Sequence, residues 1–148
     1  MSDWRIIVVG VVQNSRDEFL ICRKPTNRGV FPGQWALPGG GIEEGERMVE
    51  ALRREMREEA GIEIDRIRPL FFKDGEYAKL FPDGSQRDIY MIFLLFSCHA
   101  TGEKVVLGEE FEEYAWVRGE DLDKYDLNEQ TRGTFIQLGL PVESEKKS

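Results

Sequence analysis

Hydrophobic runs divided by short polar segments open the chain and predict a series of strands. Residues 6–12 are apolar and rich in β-branched side chains, which favours a buried strand. The polar residues 13–17 indicate a turn, and the run 19–24 predicts a second strand that pairs with the first as a hairpin. The segment 25–34 contains glycines and prolines, so we expect a loop that borders a pocket. A short strand at 35–37 then leads into a run of glycines.

From residue 46 onward, apolar residues recur at spacings of three and four, which is typical of a helix. We predict a helix over 46–60 that ends at Gly61, because glycine readily adopts the left-handed conformation that closes a helix. Val49, Leu52 and Met56 form its predicted core-facing stripe. One side of the helix should therefore pack against the sheet.

The second half of the chain predicts more strands and a last helix. Residues 82–84 are Pro-Asp-Gly, a turn signal that should join the flanking strands as a hairpin. Asn128 is a suitable residue to cap the last helix. The predicted elements are strands at 64–72, 77–81, 88–97 and 114–118, a short helix or turn from 121, and a helix at 128–138. They predict an α/β protein with a mixed central sheet and helices on its faces.

Composition places this architecture in one soluble domain. The chain has 148 residues, of which 41% are hydrophobic and 32% charged, as in an ordinary globular domain. We expect the domain to span 1–140 and a polar, disordered tail to follow at 141–148. No run approaches the roughly 18 apolar residues needed to cross a membrane, and the start lacks a secretion signal. Cys22 and Cys98 lie in apolar runs, so we expect buried thiols in a cytoplasmic protein.

Charge argues against one class of partner and does not argue against a nucleotide substrate. The net charge of −8 argues against broad binding to a nucleic-acid polymer. Glu55, Glu58 and Glu59 nevertheless form one negative cluster on the predicted helix, and such like-charged pairs destabilise an isolated helix by roughly 0.2–0.5 kcal/mol each. Carboxylate oxygens suit Mg²⁺ or Mn²⁺, and such a cation bridges an acidic protein and a polyphosphate. The cluster therefore predicts a divalent-metal site.

The segment from the glycine run to the end of the helix resembles the Nudix motif. The matching positions are Gly40, Glu46, Arg54, Glu55, Met56, Glu58, Glu59, Gly61 and Ile62. A pattern with so many constrained positions is far more specific than a glycine motif alone, although Met56 is an unbranched residue at an aliphatic position. The resemblance implies a Nudix-type α/β/α sandwich and a metal-dependent hydrolase of phosphoanhydride bonds. The alternative is a charged surface helix with ordinary Glu–Arg pairs.

The same resemblance implies roles for individual residues. The implied metal ligands are Glu55, Glu58, Glu59, Glu110 and the backbone carbonyl of Gly40. Arg54 would orient a neighbouring glutamate, for which a bidentate Arg–carboxylate pair has the necessary rigidity. Glu110 is chosen from the acidic run 109–113 and would serve as a metal ligand or as the general base. A solvated acidic loop is the alternative for this run.

Substrate contacts are predicted near the end of the second strand and among the aromatic residues. Alternation sends Arg23 and Lys24 to opposite faces, so we expect one of them to bind the substrate phosphates. Arg23 is preferred because arginine makes bidentate phosphate contacts, and an ordinary exposed residue is the alternative. The candidates for stacking on the base, each of which is otherwise a core residue, are Phe31, Trp35 and Tyr90.

Segments outside the motif resemble the bacterial nucleoside triphosphatases of this family. These segments are 28–37, 88–92, 110–111, 114–117, 125–128 and 131–132. The resemblance implies cleavage of nucleoside triphosphates, preferably pyrimidine deoxynucleotides, to monophosphate and pyrophosphate. Arg23 stands where that group has cysteine or lysine, which weakens the transfer of substrate preference.

Two other functions fit the sequence. One is hydrolysis of another nucleoside diphosphate derivative, such as a dinucleoside polyphosphate or a nucleotide sugar, for which Tyr77 is the sole support. The other is a non-catalytic nucleotide-binding module, which would not need all three helix acids. A nucleotide is the expected partner in each case, and the family resemblance implies a homodimer.

Overall fold

The computed structural model describes residues 3–144, and in this range a mixed sheet lies between two α-helices. The strands are β1 Trp4–Gln13, β2 Phe19–Arg23, β3 Gly29–Val30, β4 Trp35–Ala36, β5 Gly39–Gly41, β6 Ile64–Leu80, β7 Gln86–Ala100 and β8 Glu113–Val117. The helices are α1 Met48–Ala60 and α2 Glu129–Gln137, with a short 3-10 helix at Gly119–Lys124. The predicted α/β class is confirmed.

The centre of the sheet consists of β1 and β7, which run parallel. The strand order is β3-β6-β7-β1-β2-β4, while β5 pairs with β1 and β8 pairs with β2. These other pairs are antiparallel, so the sheet is mixed, as predicted. Residues of β7 belong to the hydrophobic clusters on both faces of the sheet, which agrees with its nearly continuous apolar sequence.

The predicted hairpin of β1 and β2 forms only at its turn. Gln13 and Phe19 are the Cα partners there. Farther along, β2 pairs with β4 and β8, and the place beside β1 is taken by β5. This exchange brings the glycine strand against the middle of the sheet.

A long hairpin joins β6 and β7 through the predicted turn, where Gly84 adopts a φ of 89°. The sequence predicts separate strands at 64–72 and 77–81, whereas β6 is one strand with register shifts around Pro69. Such bulges accommodate a proline that cannot donate to the ladder, so the irregular sequence bends the strand without ending it.

The two helices cover opposite faces of the sheet, because side chains alternate along each strand. Val8 packs with Leu52 of α1 on one face. Ile7 packs on the other face with Phe135 of α2. The result is the predicted α/β/α sandwich, and both cysteines are buried, unpaired thiols.

The end of the described chain packs along α2. Val142 contacts the core on that side, and the Arg132 guanidinium donates a hydrogen bond to the backbone oxygen of Glu143 at 3.1 Å. Residues 145–148 of the predicted tail lie outside the described residues, and the domain limit at 140 stays a prediction. Between residues 3 and 144, neither helix is long and apolar enough to cross a membrane.

Candidate active site

Helix α1 presents its acidic residues at the edge of the core. It begins two residues later than predicted and ends at Gly61, whose φ of 63° lies in the left-handed region. Leu52 and Met56 are fully buried, as predicted. Val49 is 40% exposed, so its place in the core-facing stripe was wrong. Ala51, Glu55 and Glu59 complete the buried face instead, so two carboxylates of α1 lie against the edge of the sheet.

Two of the three helix acids are buried and face the glycine strand. Glu55 and Glu59 are only 7% and 6% exposed, whereas the side chain of Glu58 is 59% exposed. The Gly39 amide donates a hydrogen bond to Glu59 Oε2 at 3.3 Å. A β-carbon added at Gly40 would collide with the Glu55 carboxylate. The missing side chain of Gly40 therefore leaves the space beside β5 that the Glu55 carboxylate occupies.

Arg54 ties the glycine loop to the acids of α1. Its guanidinium donates to Glu46 at 2.7 Å and 2.9 Å, to Glu55 at 2.8 Å and to Glu58 at 3.1 Å. It also donates to the backbone oxygen of Gly41 at 2.9 Å. These bonds hold the pKa of Glu46 near 2, and they lock the orientation of the Glu55 carboxylate.

The Glu55–Glu59 pair has the chemistry of a cation site. Burial, together with a hydrogen bond and repulsion from Glu55, raises the pKa of Glu59 well above its usual range. Two buried carboxylates in contact must share a proton or a cation, and hard oxygen donors suit Mg²⁺ or Mn²⁺. In the described range, no group of three or more His, Cys, Asp or Glu side chains has the spacing of a ready-made metal site. The Glu58 carboxylate faces Arg54. The Glu58 side chain therefore has to rotate before it can act as a third metal ligand from α1.

A cavity of about 560 Å³ opens beside these acids. It brings together the helix glutamates, the glycine strand, Glu110 and the loop at Phe31. Its floor consists of alternate residues of the two central strands, which are Arg5, Ile7 and Val9 from β1 and Ile89, Met91 and Phe93 from β7. The cavity therefore has an acidic end at α1 and an apolar floor along β7.

Lys24, rather than Arg23, lines this cavity. The Arg23 guanidinium forms ion pairs with Glu112 at 3.2 Å and Glu113 at 2.7 Å. Burial lowers the pKa of Lys24, while Glu59 and Glu110 oppose that shift. Alternation indicated that one of the two cations faces the site, but it gave no sign of which.

Of the three aromatic residues predicted to stack on the base, one lines the cavity and two do not. Phe31 lines the cavity and has a φ of 58°, a left-handed conformation that bulky residues rarely adopt outside constrained sites. Trp35 packs edge-on against Tyr125 with ring centroids 5.1 Å apart. The Tyr90 hydroxyl donates to Asp74 at 2.6 Å. Neither Trp35 nor Tyr90 lines the cavity.

Several polar residues of the cavity carry no signal in the sequence alone. They are Arg5, Lys79, Asn128 and Gln130. Each belongs to a different element from the motif and reaches the site only through strand pairing or helix packing. Asn128 was predicted as a helix cap, and its Oδ1 does accept a hydrogen bond from the Thr131 amide at 2.8 Å.

Comparisons with known proteins agree with this geometry. The model of the NUDIX domain family matches residues 3–138. Over 138 residues, the chain is 51% identical to a protein named nucleoside triphosphatase NudI of Klebsiella pneumoniae (strain 342), covering 92% of this chain and 97% of that protein. The NudI protein of Escherichia coli (strain SE11) is 49% identical over the same lengths.

Solved structures show the same fold. The MutT protein from Methanosarcina mazei Go1 is 26% identical with a TM-score of 0.69, covering 93% of this chain and 94% of that one. The MutT NUDIX hydrolase from Burkholderia pseudomallei is 22% identical with a TM-score of 0.74, covering 93% and 99%. The second likeness concerns the fold alone.

Proposed function

The chain belongs to the Nudix hydrolase family, and we propose that it hydrolyses nucleoside triphosphates, preferably pyrimidine deoxynucleotides, to nucleoside monophosphate and pyrophosphate. The observation that carries this proposal is the presence, in one cavity, of the buried carboxylates of α1 and the cation Lys24. Acids that take a divalent cation and a lysine that takes phosphate oxygens together suit a metal–polyphosphate ligand. The names of the relatives at about half identity support the nucleoside triphosphate as substrate.

We propose that Glu55, Glu58, Glu59, Glu110 and the Gly40 carbonyl hold the divalent cation, which is Mg²⁺ or Mn²⁺. The cation supplies polarisation of phosphoryl oxygens and a lowered pKa of bound water. Glu110 lines the cavity and is also a candidate to accept the proton of the attacking water. Arg54 positions Glu55 and Glu58 through its hydrogen bonds to both carboxylates.

The substrate phosphates are assigned to Lys24. Arg23 was the preference from sequence, but its guanidinium is occupied by two glutamates. Among the aromatic residues, Phe31 is the candidate to contact the base, because it lines the cavity in a constrained backbone conformation. Trp35 and Tyr90 are instead assigned to packing and to the surface of the sheet.

We also propose a cytoplasmic protein that binds nucleotides and forms a homodimer. The rings of Trp4 and Phe72 are 59% and 80% exposed, so a homodimer contact that buried either ring would gain apolar area. The net charge of −8 supports neither a nucleic-acid polymer nor an anionic membrane surface as a partner.

The test is a substrate panel with the purified protein, with and without Mg²⁺ or Mn²⁺. The panel contains ribo- and deoxynucleoside triphosphates, a dinucleoside polyphosphate and a nucleotide sugar, and pyrophosphate is separated from orthophosphate. We expect metal-dependent pyrophosphate release, fastest with pyrimidine deoxynucleotides. Turnover of only a diphosphate derivative, or metal binding without any turnover, would contradict the proposal and favour one of the two other functions.

A further inference from the structure

Gln130 has a buried hydrogen-bond donor with nothing to bond to. It is 7% exposed, lies in the first turn of α2 and lines the cavity. Among the side-chain polar atoms of residues 3–144, its Nε2 is the buried one that lacks a hydrogen-bond partner. Such donors are rare because leaving them unsatisfied destabilises the protein, so this one calls for a ligand or another functional reason.

The neighbouring Thr131 hydroxyl favours one orientation of the Gln130 amide. The Thr131 hydroxyl oxygen accepts a hydrogen bond from the Leu37 amide at 3.2 Å. The same hydroxyl donates its proton to Gln130 Oε1 at 3.4 Å. Turning the amide over would leave the Thr131 proton without this acceptor. The amide nitrogen of Gln130 is therefore the group left for a ligand.

The backbone of Gln130 is held firmly in place. Asn128 caps the helix through its bond to the Thr131 amide. The Gln130 carbonyl accepts hydrogen bonds from Lys73 Nζ at 2.8 Å and from the Thr134 hydroxyl at 2.9 Å. Because the backbone of Gln130 is fixed, its Nε2 donor points in one direction. Such preorganisation favours selective binding over nonspecific binding.

Gln130 lies on the face of the sheet that α2 covers, together with the apolar floor of the cavity, because Met91 and Phe93 belong to the same core cluster as Phe135 of α2. The acids come from α1, which covers the other face of the sheet. A nucleotide with its phosphates at the acids would thus carry its base toward Gln130, over the apolar floor of Met91 and Phe93.

We infer that Gln130 binds the base by donating a hydrogen bond from Nε2 to a carbonyl oxygen of the base. This inference rests on the proposed function. Every natural pyrimidine base carries a ring carbonyl, whereas a substrate without a base offers no such acceptor. The Gln130 side chain is therefore a base-binding group and has no role in the phosphate chemistry.

The variant Gln130→Met removes the donor and nearly keeps the shape of the side chain. We expect kcat/KM for dUTP and dCTP to fall about tenfold or more, the usual effect of one lost hydrogen bond in a dry site. The kcat/KM for deoxyribose 5-triphosphate, which lacks a base, should stay within about twofold of wild type on the same reasoning. The same change at the exposed Gln137 of α2, Gln137→Met, is the matched control and should alter neither value.

Thermal unfolding provides a second measurement that does not depend on catalysis. Without ligand, Gln130→Met should have nearly the same stability as wild type, because it removes the unsatisfied buried donor but also the acceptor of the Thr131 hydroxyl, and these two effects oppose each other. With the α,β-imido analogue of dUTP and Mg²⁺, its gain in melting temperature should be smaller than that of wild type. With tripolyphosphate the two gains should be equal.

Three results would overturn the inference. They are an equal loss of activity on the substrate with and without a base, unchanged activity on dUTP and dCTP, and an equal gain in melting temperature with the dUTP analogue. Failure of the proposed function is a separate outcome. In that case, wild type turns over no nucleoside triphosphate, whatever residue stands at position 130.

Discussion

Gly40 shows how a single position determines where a carboxylate of α1 lies. The Glu55 carboxylate occupies the space that a β-carbon would need. Gly40→Ala should therefore displace the Glu55 carboxylate and strongly reduce hydrolysis, while changing the free energy of unfolding little, because the end of a flexible side chain can move aside. Gly102→Ala is the matched control, because its surroundings are open. Urea unfolding and pyrophosphate release measure both effects, and normal activity in Gly40→Ala would refute the close approach.

Lys24 and Arg23 are adjacent in sequence but differ in surroundings. Lys24→Met should lower kcat/KM for nucleoside triphosphates by about 10- to 100-fold, the range for a lost charge-assisted hydrogen bond. Arg23→Met should change it little, because the Arg23 guanidinium is paired with glutamates outside the cavity. Steady-state kinetics on both variants distinguish the two assignments. A larger loss in Arg23→Met would restore the assignment made from sequence.

Among single residues, the sequence predicts those site residues whose positions depend only on spacing along one helix. Glu55, Glu58 and Glu59 fall on one helix at intervals of three and four, so their proximity could be predicted without any partner strand. Lys24 and Gln130 could not be predicted in this way. Their positions depend on which face of β2 turns inward and on where α2 packs, and both are decided by distant parts of the chain.

At the scale of the elements, the ion pair of Arg54 with Glu46 holds the loop before α1, and its contribution to stability depends on pH. Arg54 keeps the pKa of Glu46 at about 2, below its ordinary value of 4.5. A depressed pKa in the folded state means that this pair contributes stability above about pH 4.5 and loses it as the pH falls toward 2. We expect Glu46→Gln to reduce the drop in melting temperature between those two pH values, as measured by thermal unfolding. A drop as large as that of wild type would contradict this link.

The elements themselves follow from periodicity to different extents. Helix α1 and the hairpin of β6 and β7 were predicted because their signals are local, a 3.6-residue period and a Pro-Asp-Gly turn. The limited pairing of β1 with β2 was not predicted, because a turn between two apolar strands does not reveal that β4, β5 and β8 compete for their edges. Val49 was misplaced for a related reason. The spacing of apolar residues in the sequence does not show which part of the helix the sheet covers.

For the whole molecule, the exchange of strands around β1 and β2 creates the candidate site. It lays glycines against the acids of α1 and leaves a cavity whose other wall is α2. The acidic end, the lysine and the apolar floor belong to separate elements, so the site exists only in the assembled fold. This arrangement explains why the motif predicts the chemistry, whereas the preference for a base depends on residues outside it.

The most direct test of the central claim is hydrolysis of a pyrimidine deoxynucleoside triphosphate by Glu58→Gln and Glu59→Gln, beside Glu50→Gln as a control. Glu50 is exposed on the same helix and does not line the cavity. With folding verified by circular dichroism, we predict that the first two variants lose pyrophosphate release by at least about a hundredfold, while Glu50→Gln keeps it. Near-wild-type activity in both Glu58→Gln and Glu59→Gln would contradict the assignment of these carboxylates to the metal.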